Sequence, residues 1–174
     1  MSLAVPEGIR CIAVETAAEM FDAVMSGAAG CDIFIGAAAV ADYRPTEFVT
    51  QKIKKQRAGW SLPLTPTKDI LAAVAGLQPR PFCVGFAAET ARLEQNSKDK
   101  RVGKNVDMIA ANQVGAGLGF DSDDNELLLI WDGGQLHLPE DTKSRLAVAL
   151  IEQIAKRYRK SNRSTVEHHA KHSA

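Results

Sequence analysis

Two clusters of basic side chains are the groups in this sequence best suited to chemistry. The clusters comprise Lys52, Lys54, Lys55 and Arg57, and further along the chain Lys98, Lys100, Arg101 and Lys104. A triphosphate is a natural partner for both, because a charge-assisted contact contributes roughly 1.5–3 kcal/mol when it is desolvated. Lysine can also stabilise charge that develops on a phosphate during a transfer reaction. The alternative is a solvated basic surface, which we expect for Lys98 and Arg57.

A stretch of very small residues precedes the first lysine cluster and ends in a carboxylate. The apolar run 33–35 leads into Gly-Ala-Ala-Ala-Val-Ala at 36–41, and Asp42 follows. Residues this small let a flat or phosphorylated ligand approach backbone N–H groups. The pattern therefore predicts a ligand-binding cradle, although a strand that packs closely on a helix has the same composition.

Other reaction classes find little support in the sequence. His137 is the only histidine outside the C-terminal tail, and neither His-Glu-x-x-His nor Cys-x-x-Cys spacing occurs, so we predict no metal-binding residues. The patterns Gly-x₄-Gly-Lys-Ser/Thr and Gly-x-Gly-x-x-Gly are also missing. An ordinary P-loop enzyme and a dehydrogenase are therefore both disfavoured.

The composition is typical of one soluble globular domain. The chain has 174 residues, of which 45% are hydrophobic and 24% charged. Basic and acidic side chains number 21 each, so no net charge argues for nucleic acid or membrane as a partner. We find no secretory signal, and Cys11, Cys31 and Cys83 are too widely spaced for a disulfide frame. We expect a cytoplasmic protein.

Strand and helix patterns alternate along the chain, which favours an α/β fold with a doubly wound, Rossmann-like, mostly parallel sheet. We expect Thr16 and Thr67 to cap the first two helices, Thr16 through a capping box with Glu19. The predicted strands cover residues 10–14, 31–38, 82–86 and 107–112, and the predicted helices cover 17–25, 68–77, 92–104 and 141–158.

Three of the predicted strands end in small residues followed by a polar side chain, namely Asp42, Glu89 and Asn112. Ligands of parallel sheets bind beyond the carboxyl ends of the strands. We therefore predict that these three ends form one site. Small residues that only allow helices to pack closely are the alternative.

The remaining segments are predicted as hairpins, a loop and two irregular termini. Residues 52–55 and 61–64 are expected to form one hairpin, and 126–131 and 135–138 a second. Residues 115–125 are a predicted loop. The domain itself is expected to span 10–158, between a disordered or artificial start at 1–9 and a polar disordered tail at 159–174.

Six motifs occur in an order that identifies a family. They are GAAAVADYRP from residue 36, KIKK from 52, VGFAAET from 84, KRVGKN from 100, DMIAAN from 107 and GFDSDDNELLLIW from 119. Over residues 10–158 the chain resembles the phosphopantothenoylcysteine synthetase domain of the bacterial bifunctional coenzyme A biosynthesis flavoprotein, the Dfp family. The resemblance implies that CTP activates 4′-phosphopantothenate as an acyl-cytidylate, which the amine of cysteine then attacks. It also implies Mg²⁺ with the triphosphate, a homodimer, and FMN only on a decarboxylase domain that this chain does not contain.

The resemblance assigns roles to residues of this chain. Asp42 matches a carboxylate near the ribose, residues 68–71 match a cytosine-reading segment, and Lys52 matches a catalytic lysine on a flexible loop. Ala39 and Asn112 match substrate contacts. The implied nucleotide contacts are Gly36, Ala37, Ala38, Asp42, Lys52, Lys68, Asp69, Ile70, Leu71, Phe86, Lys100 and Lys104.

The chain departs from the family pattern at several places. Thr67-Lys68-Asp69 stands where the family usually has Asn-Pro-Asp, and Gln113 replaces an aspartate. The Gly-rich strand–loop and the Asn-Arg-Ser-Ser-Gly segment that begin the family's domain do not occur. We therefore expect nucleotide contacts to be largely kept and phosphopantothenate activation to be impaired. A CTP-binding and dimerisation fragment without activity is the main alternative, and a nucleotide-dependent oxidoreductase is a weaker one.

Overall fold

The apolar runs of the sequence form a five-stranded sheet in the computed structural model of the protein, which describes residues 5–47, 49, 51–52, 54, 61–115 and 123–171. The strands are β1 Ile33–Gly36, β2 Tyr43–Pro45, β3 Leu64–Pro66, β4 Phe82–Glu89, β5 Met108–Gln113, β6 Asp124–Trp131 and β7 Gly134–Thr142. The main sheet has the order β1-β4-β5-β6-β7, and β2 and β3 form a separate two-stranded sheet.

The half of the main sheet formed by β1, β4 and β5 is parallel. Gly36 of β1 is in register with Gly85 of β4, and Ala88 of β4 is in register with Asn112 of β5. Each of these strands is a nearly continuous apolar run, as expected for strands covered on both faces. Because the strands are parallel, their carboxyl ends lie at the same edge of the sheet.

The other half of the sheet is antiparallel and contains the predicted second hairpin. β6 pairs antiparallel with both β5 and β7, and Trp131 is in register with Gly134 across the turn. Gly133 in this turn has a φ of +71°, a conformation that glycine adopts without strain. This hairpin prediction is confirmed.

Helices cover both faces of the sheet, which confirms the predicted doubly wound α/β class. The helices are α1 Ala17–Ala28, α2 Ile70–Ala75, α3 Leu93–Gly103 and α4 Lys143–Lys171. On one face, α1 and α2 pack against a core that includes Cys83 and Ile109. On the opposite face, Leu146, Leu150 and Ile154 of α4 pack against the strands. The core therefore lies in two layers, one on each side of β4 and β5.

The start of α1 agrees with the predicted capping box. Thr16 Oγ1 accepts a hydrogen bond from the Glu19 N–H at 3.1 Å, and Glu19 Oε2 accepts one from the Thr16 N–H at 3.4 Å. The two side chains thus satisfy backbone donors that have no partner inside the helix.

The predicted strand at residues 10–14 is wrong. These residues form neither helix nor strand, and four of the five are exposed. Among the described strands, β1 pairs with β4 alone. Residues 10–14 consequently have no neighbouring strand to satisfy their backbone hydrogen bonds, and an apolar run without a partner does not form a sheet.

Two predictions in the region before α2 also need correction. Leu64–Pro66 pairs with Tyr43–Pro45, so the predicted pairing of 61–64 with 52–55 is wrong for the residues that the structure describes, and 53 and 55–60 lie outside them. Thr67 does not cap α2. Its hydroxyl donates to the carbonyl of Ala41 at 2.6 Å, and Asp69 caps the helix instead.

Helix α4 continues to Lys171, beyond the predicted end near residue 158. The predicted disorder of the tail at 159–174 therefore differs from the structure, which is helical over residues 159–171. Residues 143–171 contain neither glycine nor proline, so nothing in the sequence ends the helix. Within the described part of the chain, no helix is both long enough and apolar enough to cross a membrane.

Candidate functional site

A cavity of about 360 Å³ opens beyond the carboxyl end of β1, between that strand, α1 and α2. Its walls combine apolar side chains with a few charged ones. The lining residues are Met20, Val24, Phe34, Ile35, Gly36, Ala37, Ala38, Val40, Asp42, Thr67, Lys68, Asp69, Ile70, Leu71, Phe86 and Lys104. Ten of these residues are among the predicted nucleotide contacts, so the fold brings those ten together around one concave surface.

The small residues after β1 form one wall of the cavity. A Cβ on Gly36 would lie 3.4 Å from Phe34 Cε1 and 3.5 Å from Leu71 Cδ1, so α2 packs closely on this strand end. Together with Ala37 and Ala38, Gly36 leaves the backbone accessible from the cavity. The small-residue stretch therefore packs against a helix and also borders the cavity.

Thr67 holds the segment that carries Asp42. The Thr67 hydroxyl donates to the Ala41 carbonyl at 2.6 Å, and the Thr67 N–H donates to the Asp42 carbonyl at 2.9 Å. These two bonds join the end of β3 to the loop after β1. The backbone at Asp42 is thereby fixed from outside its own loop, and Asp42 lines the cavity.

The N-terminus of α2 supplies the opposite wall. Asp69 Oδ1 accepts a hydrogen bond from the Ala72 N–H at 3.0 Å and so caps the helix. Lys68 Nζ lies 4.2 Å from the centre of the Phe21 ring, a cation–π contact that holds this cation beside α1. Ile70 and Leu71 follow as apolar lining residues.

Asp69 forms an ion pair with Lys104 across the cavity wall. Lys104 Nζ is 3.1 Å from Asp69 Oδ2. Partial burial by itself would raise the pKa of Asp69, but the hydrogen bond from Ala72 and the ammonium of Lys104 together lower it below its usual value. Asp69 is thus held as a carboxylate, an acceptor suited to the amino group of a planar ligand.

Four of the predicted site residues do not line the cavity. Lys100 instead forms an ion pair with Glu89 at 3.5 Å. Lys52 is exposed on an irregular segment, and Ala39 is exposed in the loop after β1. Asn112 lies near the carboxyl end of β5, in register with Ala88. The predicted single site at three strand ends therefore includes Asp42, whereas Glu89 and Asn112 lie at the same edge but outside the cavity.

Six lining residues were not predicted as site residues. Thr67 was assigned a capping role, and the other five are apolar: Met20, Val24, Phe34, Ile35 and Val40. Met20 and Val24 are one turn apart on α1, a spacing that predicts a buried helix face. Only the packing of α1 against the sheet shows that part of this face borders a cavity.

The cavity is suited to binding and orienting a ligand. Its lining contains two aspartates, two lysines, the small residues 36–38 and apolar side chains. The one hydroxyl among the lining residues, that of Thr67, is already engaged with Ala41. In the described portion of the chain, no three metal-ligating side chains come together.

Comparison with known proteins adds independent information. Residues 1–158 match the family described as the DNA/pantothenate metabolism flavoprotein C-terminal domain. The chain is similar to "Coenzyme A biosynthesis bifunctional protein CoaBC" of Vibrio cholerae, with 49% identity over 87% of this chain and 39% of that protein. The same-named protein of Escherichia coli is 44% identical over 94% of this chain and 41% of that protein.

A solved structure shows the same similarity in three dimensions. The crystal structure of the C-terminal domain of CoaBC superposes with a TM-score of 0.73 and 30% identity, over 91% of this chain and 73% of that domain. The chain spans about two fifths of the length of the curated relatives named above.

Proposed function

The chain belongs to the family of DNA/pantothenate metabolism flavoprotein C-terminal domains, as its six motifs predict, and we propose that it acts in coenzyme A biosynthesis by binding CTP for a ligation reaction. In the proposed reaction, a carboxylate oxygen of 4′-phosphopantothenate attacks the α-phosphorus of CTP and pyrophosphate leaves. The amine of cysteine then attacks the resulting acyl-cytidylate, and CMP leaves as the amide forms. Activation is needed because a free carboxylate is a poor electrophile.

One observation carries the proposal: ten residues that the family resemblance links to the nucleotide line a single cavity. A nucleotide needs a flat apolar slot for its base, a polar group for its ribose and cations for its phosphates. The cavity offers Ile70 and Leu71 as apolar wall, Asp42 as an acceptor for a hydroxyl, and Lys68 and Lys104 as cations. These groups match the chemistry of a nucleoside triphosphate.

The residues have distinct proposed roles. Asp69, held as an anion by Lys104 and the start of α2, would accept a hydrogen bond from the exocyclic amine of cytosine. Asp42 would bind the ribose, and Lys104 the phosphates. Lys52 is the proposed catalytic cation, which would approach the transferring phosphate from its exposed segment.

Mg²⁺ enters the proposal as part of the substrate. Magnesium in phosphoryl-transfer sites is usually held by phosphate oxygens with one or two carboxylates. The cavity offers only Asp42 and Asp69, and Asp69 is already paired with Lys104. We therefore assign the ion to the triphosphate itself and no ligand role to a protein residue.

Two further features belong to the proposal. The protein forms a homodimer, and it is cytoplasmic. A catalytically incomplete CTP-binding and dimerisation fragment is the second candidate. It is favoured by the positions of Lys52 and Asn112 outside the cavity lining, since these are the groups expected to act on the substrates rather than on the base.

A thermal-shift titration of the protein with Mg²⁺ and CTP, ATP or NAD tests the proposal. A ligand at 100 times its dissociation constant stabilises the folded state by roughly 2.7 kcal/mol, which for a domain of this size raises the melting temperature by about 5–11 °C. We expect this rise with CTP and a much smaller one with ATP or NAD. A cooperative melting transition that no nucleotide shifts would contradict the proposed function.

A further inference from the structure

The carboxylate of Glu89 lies at the same sheet edge as the cavity and is bound by α3 at two points. Glu89 is the last residue of β4. Its Oε2 accepts a hydrogen bond from Asn96 Nδ2 at 3.0 Å, and its Oε1 lies 3.5 Å from Lys100 Nζ. The contact with Asn96 is a hydrogen bond from a neutral amide, whereas the contact with Lys100 is an ion pair.

The face of α3 that meets this edge carries three polar residues at successive turns: Asn96, Lys100 and Lys104. The two lysines have different partners. Lys104 pairs with Asp69 and lines the cavity, whereas Lys100 pairs with Glu89 and does not. Two cations one turn apart are thus divided between two carboxylates, and only one of them faces the cavity.

Lys100 is the more exposed member of its ion pair with Glu89. Asn96 Nδ2 also donates to the Ala91 carbonyl at 3.0 Å, so the amide that holds Glu89 is itself anchored to the backbone. Glu89 is 18% exposed and Lys100 is 32% exposed. A lysine side chain has four rotatable bonds and can leave such a partner, while the carboxylate stays on Asn96.

We propose that Glu89 is a positioning residue that holds Lys100 beside the cavity and releases it to the phosphates of an incoming nucleoside triphosphate. This inference rests on the proposed function, because the anion that draws Lys100 away is the triphosphate of CTP. Glu89 competes with the phosphates for the same ammonium group. It therefore weakens triphosphate binding, and it has no effect on the base and ribose alone.

Isothermal titration calorimetry with CTP and with cytidine tests the competition. Glu89→Gln keeps an acceptor for Asn96 and removes the charge that holds Lys100. We expect it to tighten CTP binding on the order of threefold, which matches the strength of partly exposed ion pairs, and to leave cytidine affinity unchanged. Lys100→Gln should weaken CTP binding only. In a Lys100→Gln background, Glu89→Gln should have no further effect.

Two additional variants serve as a control and as a replacement for Glu89→Gln. Glu94→Gln removes a carboxylate from the same helix that pairs with Lys98, so it should leave CTP affinity unchanged. Glu89→Asp retracts the carboxylate without removing it, and it should tighten CTP binding in the same direction if Glu89→Gln does not fold.

Specific outcomes would overturn the inference. CTP affinity that is unchanged or weaker in Glu89→Gln, or an equal effect with Lys100 absent, would show that Glu89 has only a structural role. Wild-type protein that binds no CTP at all would overturn the proposed function together with the inference. The two failures are distinguished by the wild-type titration.

Discussion

Asp69 and Lys104 form an ion pair of 3.1 Å that joins the N-terminus of α2 to the C-terminal end of α3 beside the cavity. The same carboxylate caps α2, so the helix start, the far end of α3 and the cavity wall depend on one side chain. A ligand that binds Asp69 or Lys104 would therefore act on the packing of two helices. Its stabilising effect should appear in the melting of the whole domain.

Substitutions of Asp69 separate the two roles of its side chain, the cap of α2 and the ion pair with Lys104. Asparagine is as good an N-cap as aspartate, so Asp69→Asn should keep the cap and lose only the ion pair. Because the folded-state pKa of Asp69 is lowered, its charge stabilises the protein above the unfolded-state pKa of about 3.9. That contribution disappears as pH falls through the lowered folded-state pKa.

Urea unfolding of wild type and Asp69→Asn at several pH values measures this contribution. We expect a difference in unfolding free energy at pH 6–7 that shrinks below about pH 4. Asp69→Ala should be less stable than Asp69→Asn by about 1 kcal/mol because it also removes the cap. A difference between wild type and Asp69→Asn that does not change with pH would contradict the assignment.

The sequence predicted the central strands, the second hairpin and the first helix cap because each rests on local pattern. A continuous apolar run such as 82–86 forms a buried strand wherever the chain supplies neighbours on both sides. Residues 10–14 have the same pattern but form no strand. A strand needs a neighbouring strand to pair with, and the pattern of a segment does not show which segments lie beside it in the fold. The predicted Thr67 cap is wrong for a related reason. Asp69, two residues later, caps the helix, and the Thr67 hydroxyl donates to the carbonyl of Ala41, which is distant in sequence.

The site was predictable only where residues carry a family motif or an unusual composition. The small residues after β1 and the charged residues around α2 are of this kind, and the structure brings them together around one cavity. Met20 and Val24 were predictable as a helix face but not as cavity lining. Lys100 and Lys104 lie one helical turn apart, and the sequence does not distinguish their roles. Their different carboxylate partners in the fold do.

Asp42→Ala should weaken CTP binding without unfolding the protein. The Asp42 backbone is held through its carbonyl by Thr67 at 2.9 Å, so removing the side chain leaves that contact intact. The lost carboxylate would remove an acceptor for a ribose hydroxyl, and we expect a loss of affinity of about tenfold, the size of one charge-assisted hydrogen bond. Titration calorimetry with CTP measures this loss. Glu152→Gln, on α4 across the sheet, is the matched control, and an unchanged dissociation constant for Asp42→Ala would make Asp42 structural.

Lys52→Gln should reduce turnover far more than binding. Lys52 is exposed and outside the cavity lining, so the fold and most of the CTP affinity should be kept. If its charge stabilises the transition state, release of pyrophosphate should fall on the order of a hundredfold or more. Lys156→Gln, which removes an exposed cation from α4 on the other face of the sheet, serves as the control.

Turnover is compared in a preparation whose wild-type protein releases pyrophosphate at a measurable rate. Equal turnover in wild type and Lys52→Gln would remove Lys52 from the mechanism.

Cys83 should react slowly with thiol reagents, while Cys11 and Cys31 react quickly. Cys83 is fully buried, and the other two thiols belong to exposed residues. Burial raises the pKa of Cys83, and the nearby Asp107 carboxylate raises it further, although Arg80 opposes the shift. Labelling with iodoacetamide at pH 8, followed by mass spectrometry of the peptides, should show two fast sites and one that is modified only in denaturant. Fast labelling of Cys83 in the folded protein would contradict the burial of β4.

Gly36 and Gly85 are in register on neighbouring strands, and substituting each should have opposite consequences. A Cβ on Gly85 would lie 2.6 Å from Leu71 Cδ2 and 2.9 Å from Ile109 Cδ1, closer than packed atoms allow. Gly85→Ala should therefore destabilise the fold by about 1–3 kcal/mol. A Cβ on Gly36 would be at ordinary contact distances from Phe34 and Leu71. Gly36→Ala should keep the stability of wild type.

The same pair distinguishes packing from binding. The added methyl group of Gly36→Ala lies beside the accessible backbone of the cradle, so CTP affinity should fall although the melting temperature without ligand does not. Gly85→Ala should lower the melting temperature already without ligand, because its methyl group displaces Leu71 and Ile109. Thermal unfolding with and without CTP measures both quantities on the same samples. Should Gly36→Ala bind CTP as well as wild type does, the small residues after β1 serve helix packing alone, and the cradle is not a nucleotide contact.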